Sequence, residues 1–184
     1  MWKLLTGNLA RGFTGILPNA YDFKEQNLLP SDHGVGIASI AMLPGNDASK
    51  LTTQVMKSWI PHFYGRLRSH VMRVRLAEGC EDYQGPSIVA FEGKRHFNLL
   101  FEEQVKSLQY GPLPSSFKLP SGWPYPRDSC QIWILPSASG RAAMTHAERI
   151  GPYENLALEL STKRTWKRRT NTCQCKQNSQ KNNE

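Results

Sequence analysis

The segment PSIVAFEGKRHFNLLFEEQV, Pro86 to Val105, carries two hydrophobic periods in succession. Ser87 to Phe91 is a short apolar run of strand length, and Glu92-Gly93-Lys94 turns it. Phe97, Leu99, Leu100, Phe101 and Val105 then recur as a helical stripe. Strand, glycine-containing turn and helix in that order form a β-turn-α unit. Such units build folds in which helices cover a sheet.

The pattern repeats downstream. QIWIL, Gln131 to Leu135, reads as a buried strand and stops at Pro136, which has no N–H to donate to a ladder. Ser137 to Arg141 follows as a turn, and a helix is expected over Ala142 to about Leu160, interrupted near Gly151-Pro152. Upstream, VGIASIAML, Val35 to Leu43, lies between Gly34 and Pro44-Gly45 and reads as a third buried strand.

The segment from Asn46 to Gly79 reads as one or two helices. Asn46 or Asp47 is its expected N-cap; Leu51, Val55 and Trp59 share a face; Pro61 is expected to break or kink it. Phe63, Leu67, Val71 and Val74 continue the apolar stripe, with Arg66, Arg68, Arg73 and Arg75 spread around it. Trp2 to about Arg11 is compatible with a short helix. Gly15 to Gly34 reads as a loop, and Tyr110 to Ser129 as a long proline-rich one. Strands alternating with helices argue for an α/β fold with a short, mainly parallel central sheet.

Composition sets the bounds. The 184 residues suit one domain with a core of useful size. No window holds the roughly 18 consecutive apolar residues that a membrane span requires. MWKLLTGNLARGF has neither a long apolar region nor a small-residue cleavage site, and is not read as a signal peptide. Residues 163–184 hold seven Lys or Arg and one Glu, a net +6 of the total +8; the remaining chain has 16 basic and 14 acidic residues. The basic balance is largely a property of this tail, which is expected to be disordered. Its KRTWKRR run, Lys163 to Arg169, reads equally as a nuclear address, a DNA tether or a solubilising end. Cys80, Cys130, Cys173 and Cys175 do not have zinc-site spacing and read as unrelated free thiols; no metal or cofactor is expected.

In α/β folds ligands gather where strands run into helices. Three such places are visible, around Ser39 to Met42, at Glu92-Gly93-Lys94 and at Pro136 to Arg141. The last has the most telling composition. Ser137 and Ser139 offer hydroxyls and N–H groups, Ala138 and Gly140 leave room for close approach, and an opening helix favours an anion. As a bare pattern it is equally a tight turn with capping serines. Serine-hydrolase, P-loop and dinucleotide-binding signatures are absent.

WILPSASGRA resembles the second signature of the thymine and mismatch-specific branch of the uracil-DNA glycosylase superfamily, where members carry L-P-N-P-S-G-L or M-P-S-S-S-A-R. PSIVAFEGKRHFNLLF is similar to that family's strand, G-K turn and helix. HGVGIASIA resembles its G-[IV]-G-x-T-N strand, and MWKLL with GFTGILPN resembles its F-W-K helix and following loop. The matches are collinear over roughly residues 1–160.

The resemblance implies a three-layer α/β/α sandwich over 1–162. It implies a monomeric, nuclear hydrolase of base excision repair that flips uracil or thymine out of G·U or G·T mismatches in double-stranded DNA and cleaves the N-glycosidic bond. No cofactor, metal or membrane enters that reaction. By the same resemblance Arg141 is the wedge that enters the base stack. Ser137, Ala138, Ser139 and Gly140 pinch the DNA backbone, Gly93 and Lys94 contact a phosphate, and Gly36 and Ser39 line the base pocket.

The departures bear on catalysis. The family's first signature, G-[IV]-N-P-[GS], carries a water-positioning asparagine ahead of the F-W-K helix. This chain starts at that helix, so the first strand is expected to be missing and no catalytic residue is assigned. Ser39 stands where the family has asparagine, and Ser137 where some members have histidine. Three readings stay open at this level: an N-terminally truncated form of a mismatch-specific glycosylase, a non-catalytic DNA-binding relative, and a small α/β nucleotide- or phosphate-binding module.

Overall fold

A computed structural model describes residues 2–8, 13–17, 23–43, 50–101, 108–138 and 143–163. Among them the elements are α1 (Trp2–Thr6), β1 (Gly7–Asn8), β2 (Phe13–Thr14), a 3-10 helix (Phe23–Leu28), α2 (Leu29–His33), α3 (Thr53–Ser58), α4 (Ile60–Glu78), β3 (Ile88–Glu92), α5 (Lys94–Phe101), β4 (Gly111–Pro112), β5 (Gln131–Leu135) and α6 (His146–Lys163). The chain is mixed α/β.

β5 has the bounds that its apolar run predicts and takes the middle of a small mixed sheet ordered β3-β5-β4. It runs parallel to β3, with Ile88 opposite Gln131 and Glu92 opposite Leu135. It runs antiparallel to β4, with Gly111 opposite Ile134 and Pro112 opposite Trp133. Alternate β5 side chains enter different clusters, as the two-residue period of a strand requires. Ile132 and Ile134 pack with Phe91 and with Phe97, Leu100 and Phe101 of α5. Trp133 and Leu135 pack with Ile16 and with Ile150, Tyr153 and Leu156 of α6. A strand buried on both faces reads as a continuous apolar run, which is why QIWIL shows no alternation. Phe97 stacks on Phe101, ring centroids 4.2 Å apart, and crosses Phe91 edge-on at 5.7 Å.

The third strand comes from an unexpected place. Val35 to Leu43 forms no strand: Ile37 is 57% exposed, Met42 and Leu43 are exposed too, and Ile40 alone of the run's large apolar side chains is buried. A short apolar run becomes a strand only where a ladder receives it. This segment instead lies on α4, whose Arg66 donates to the Ser39 carbonyl at 2.6 Å. The sheet's remaining edge is taken by Gly111–Pro112, within the segment expected to be wholly loop. Proline suits that edge because it has no ladder hydrogen to donate.

Helices α4 and α5 follow their stripes, but in α3 the expected face fails: Leu51 precedes the helix, Val55 is exposed and Met56 is the buried side chain. The N-cap of α3 is Thr52, whose Oγ1 accepts from the Val55 N–H at 3.3 Å; Asn46 and Asp47 lie outside the described residues. The expected break falls at Trp59, which ends α3 and opens α4, and Pro61 sits in the first turn of α4, where no intrahelical N–H is needed. Arg68 and Arg75 of α4 donate to the carbonyls of Gly122 and Tyr83, so these arginines tie loops to the helix. Residues 102–107, including Val105, are outside the described set. Helix α6 begins at His146, not Ala142, on a reciprocal capping box: the Thr145 N–H and hydroxyl donate to Glu148 Oε2, and the Glu148 N–H donates to Thr145 Oγ1. It runs unbroken through Pro152. Burial of Ile150, Tyr153 and Leu156 offsets the one helical hydrogen bond that Pro152 cannot make.

At the N-terminus β1 and β2 form an antiparallel pair, Gly7 opposite Thr14 and Asn8 opposite Phe13. The chain then passes so close to α1 that a Cβ at Gly15 would stand 2.2 Å from the Gly7 nitrogen and 2.3 Å from the Leu5 carbonyl oxygen. Glycine is required there. The expectation of four free thiols fails at Cys80, which is disulfide-bonded; Cys130 is free and buried. The tail segment 164–184 lies outside the described residues.

Cys130 shares a buried cluster with Val71 and Tyr125. Burial pushes its thiol up to about 11, against a small lowering by its hydrogen bond to the Val89 backbone. Burial, then the neighbouring Tyr83 and Cys130, pushes Tyr125 up to about 12. Both groups hold in the fold a proton that the unfolded chain releases, so stability is full below the ordinary thiol range and declines as pH rises through these values. The urea midpoint is expected to fall steadily from about pH 9 to pH 11, and less steeply in Cys130→Ala. Equal slopes for the two proteins would remove Cys130 as a cause.

Candidate functional site

Because β3 and β5 are parallel and in register, Glu92 and Leu135 end side by side. Two of the turns expected to carry function therefore meet. Gly93 leaves β3 with φ 86°, a left-handed conformation that favours glycine. Its N–H donates to the Leu135 carbonyl at 2.8 Å. A Cβ built on it would lie 3.6 Å from Ser137 Cβ, so the two turns stand one side-chain atom apart.

Lys94 follows as the first residue of α5, and its ammonium lies 4.6 Å from the centroid of the Tyr110 ring. Lys94 leaves one flanking strand and Tyr110 enters the other, so this contact reaches across the end of β5. A cation on an aromatic face is worth about 0.5–1 kcal/mol when exposed. Lys94 is thus held in place by Tyr110 at the rim of the strand ends.

Three residues assigned no role in the sequence complete the site. Glu92, expected in the turn, is the last residue of β3, and its carboxylate accepts from the Ala138 N–H at 3.0 Å. His96 Nδ1 donates to the Glu92 carbonyl at 3.3 Å. Tyr153 of α6, 1% exposed, donates its hydroxyl to the Pro136 carbonyl at 2.9 Å. Burial first, and the Glu92 charge second, push the Tyr153 hydroxyl well above the ordinary phenol range, so it is a fixed donor. The spacing of Ile150, Tyr153 and Leu156 marks Tyr153 as facing the core. Its partner lies 17 positions back, which periodicity does not show.

Gly93, Lys94, Ser137 and Ala138 are therefore brought together, with Ser137 and Ala138 half-buried. Gly36 and Ser39 are exposed, and their contacts run elsewhere: a Cβ at Gly36 would meet nothing within 4 Å, and Ser39 binds the Ala41 N–H and Arg66. Ser139, Gly140 and Arg141 lie outside the described residues. One detail revises the expected anion cradle. The Ala138 N–H is already occupied by a carboxylate, so an incoming phosphate would have to use other donors.

Among the described residues no cluster of His, Cys, Asp and Glu could hold a metal ion, and no helix is long and apolar enough to cross a membrane. No protein-family model and no curated protein matches the chain.

Tyr153→Phe is expected to leave the Pro136 carbonyl without its buried donor. The cost is about 1–3 kcal/mol of unfolding free energy, measured by chemical denaturation. A change within about 0.3 kcal/mol would show that the hydroxyl adds nothing to the fold.

Proposed function

We propose that this chain is a DNA-binding protein of the mismatch-specific uracil-DNA glycosylase type. In this reading its fold is a three-layer α/β/α sandwich and its setting is nuclear base excision repair. The single observation that carries the reading is the meeting of the EGK turn with Pro136–Ala138, the described start of the PSASGR segment, at the ends of two parallel strands. These are the two motifs whose sequence resemblance is most detailed, and their adjacency is what a shared DNA-contacting edge needs. Helices packed against both faces of β5 agree with the sandwich.

The chemistry of such an enzyme explains the residues. A stacked base must be extruded before its glycosidic bond can be reached, at a cost of about a few kcal/mol that is least at a mismatch. In this reading Arg141 fills the vacated place and meets the orphaned guanine, whose edges present hydrogen-bonding groups to it. Ser137, Ser139 and Gly140 approach the backbone of the strand, and Lys94 at the rim contributes a phosphate contact that orients without reading sequence. The basic run Lys163 to Arg169 adds a tether to phosphates.

Hydrolysis makes a further demand, a group that positions water at the sugar. The G-[IV]-N-P motif that supplies it in the resembled family has no counterpart in residues 1–184. The 184-residue chain is therefore expected to bind a G·U duplex with a steep salt dependence and to release little or no uracil from it. Uracil release at the rate of a complete glycosylase would refute the need for that motif. Arg141→Ala is expected to weaken binding to the mismatched duplex more than to single-stranded DNA. Equal weakening of both would argue against a wedge. A chain that binds neither would favour a small nucleotide- or phosphate-binding module.

A further inference from the structure

Charge is unevenly placed along the chain ahead of its tail. Residues 50–77 hold six Lys or Arg and no Asp or Glu, while the rest of residues 1–162 holds ten Lys or Arg against 14 Asp or Glu. The positive segment is α3 and α4, which enter the core through Met56, Phe63, Tyr64 and Val71. Cations on a helix surface gain from carboxylates three or four residues away. In α4 the first carboxylate is Glu78, its last residue.

The four arginines of α4 divide by what they meet. Arg68 and Arg75 donate to loop carbonyls. Arg66 and Arg73 are exposed. Arg66 keeps Nη2 on the Ser39 carbonyl, with its guanidinium 5.9 Å from the Phe63 ring centroid. That holds the side chain in place, and the guanidinium has further N–H donors to offer. Arg73 has no partner among the described residues. His62 and His70 are exposed too. At 3.6 residues per turn the four share about a quarter of the helix circumference. Arg66 and Arg73 stand about 10 Å apart along the axis, far enough to meet separate phosphates of a duplex that carries a charge about every 1.7 Å.

The stripe has a direction. Phe63 and Tyr64, early in α4, share a cluster with Phe91 near the end of β3, whereas Val71, further on, shares one with Cys130 just ahead of β5. Helix α4 therefore runs antiparallel to both strands. Its stripe starts at the end of the sheet where β3 and β5 run into their turns, and leads away from it. Met72 and Leu76 are exposed beside it. A membrane-surface helix puts its apolar face into lipid. The apolar face of α4 is spent on the core, so its outward face offers chiefly charge.

We propose that this face of α4, through Arg66 and Arg73 with His62 and His70, is a second contact surface for the phosphate backbone of double-stranded DNA, separate from the strand-end turns. It rests on the DNA reading above for its partner, and adds affinity without reading sequence or mismatch.

Binding of the full chain to a fully matched duplex, followed by fluorescence anisotropy from about 50 to 200 mM salt, tests it. The tail is present in every variant. Arg73→Ala is expected to make the slope of log affinity against log salt shallower by about 0.9, and the Arg66→Ala, Arg73→Ala pair by about twice that. Affinity at the lowest salt is expected to fall about tenfold in the single variant. Arg73→Lys keeps the charge and is expected to keep the slope. Lys118, exposed on the proline-rich loop, is the control for loss of any one cation.

A wild-type slope in Arg73→Ala would overturn the proposal, as would an equal loss of slope in Lys118→Ala or a wild-type chain that binds no duplex. Loss of binding to phosphatidylserine vesicles in Arg73→Ala, with the DNA slope intact, would assign the face to membranes instead. If Arg73→Ala flattens the slope while the wild type shows no preference for a G·U duplex over a matched one, the glycosylase reading fails and the α4 surface stands.

Discussion

The in-register parallel pairing of β3 with β5 is the constraint on which the rest of the structure depends. It sets Glu92 opposite Leu135, so the two turns that follow must emerge together. It also places β5 between neighbours on both sides, and the buried hydrogen-bonding groups of such a strand are satisfied by the ladder. Once β5 is central, its four apolar residues Ile132 to Leu135 must be covered on both faces. Helix α5 answers on one face and α6 on the other. Full burial of side chains of this size contributes roughly 1.5–3 kcal/mol each, so the strand's placement dominates the local energetics.

The site inherits its order from this pairing. Gly93 can donate to Leu135 only because the strands stop at the same level. Lys94 can reach Tyr110 only because β4 lies on the far side of β5. Tyr153 reaches the Pro136 carbonyl because α6 packs beneath the same strand. The backbone at Leu135, Pro136 and Ala138 is thus held by groups from β3 and α6. The anion-favouring character read from the serines is tempered by Glu92, whose negative charge stands within hydrogen-bonding distance of that backbone.

The parts of the fold legible in the sequence were those in which one short segment contains its own cause. Ser87 to Phe91 and Gln131 to Leu135 are apolar runs ended by a glycine turn and by proline, and both are strands within one residue of the expected bounds. The stripe from Phe63 to Val74 is α4, and the stripe from Phe97 is α5. Where the cause lies elsewhere in the chain, reading failed. Val35 to Leu43 has strand composition but no ladder among the described residues. Gly111–Pro112 has loop composition but an edge to pair with. The THAE capping box, by contrast, was written in the sequence at Thr145 to Glu148, and the expected helix start at Ala142 passed it over.

For the candidate site the division is similar. The residue types at Gly93, Ser137 and Ala138 point to close backbone approach, because small residues after an apolar run have no packing role of their own. Their identity as one site required two segments more than 40 residues apart to end side by side, as the Glu92–Ala138 hydrogen bond records. Glu92, His96 and Tyr153 have no distinguishing local pattern; each matters through the backbone atom it meets. The sequence by itself determined the β-turn-α units, the charge carried by the tail and the composition of the turns, since these follow from neighbours along the chain. Only the tertiary structure decided which runs pair, which edge is filled and which side chains hold the turn, because hydrogen bonds and burial are settled between segments that the sequence keeps apart.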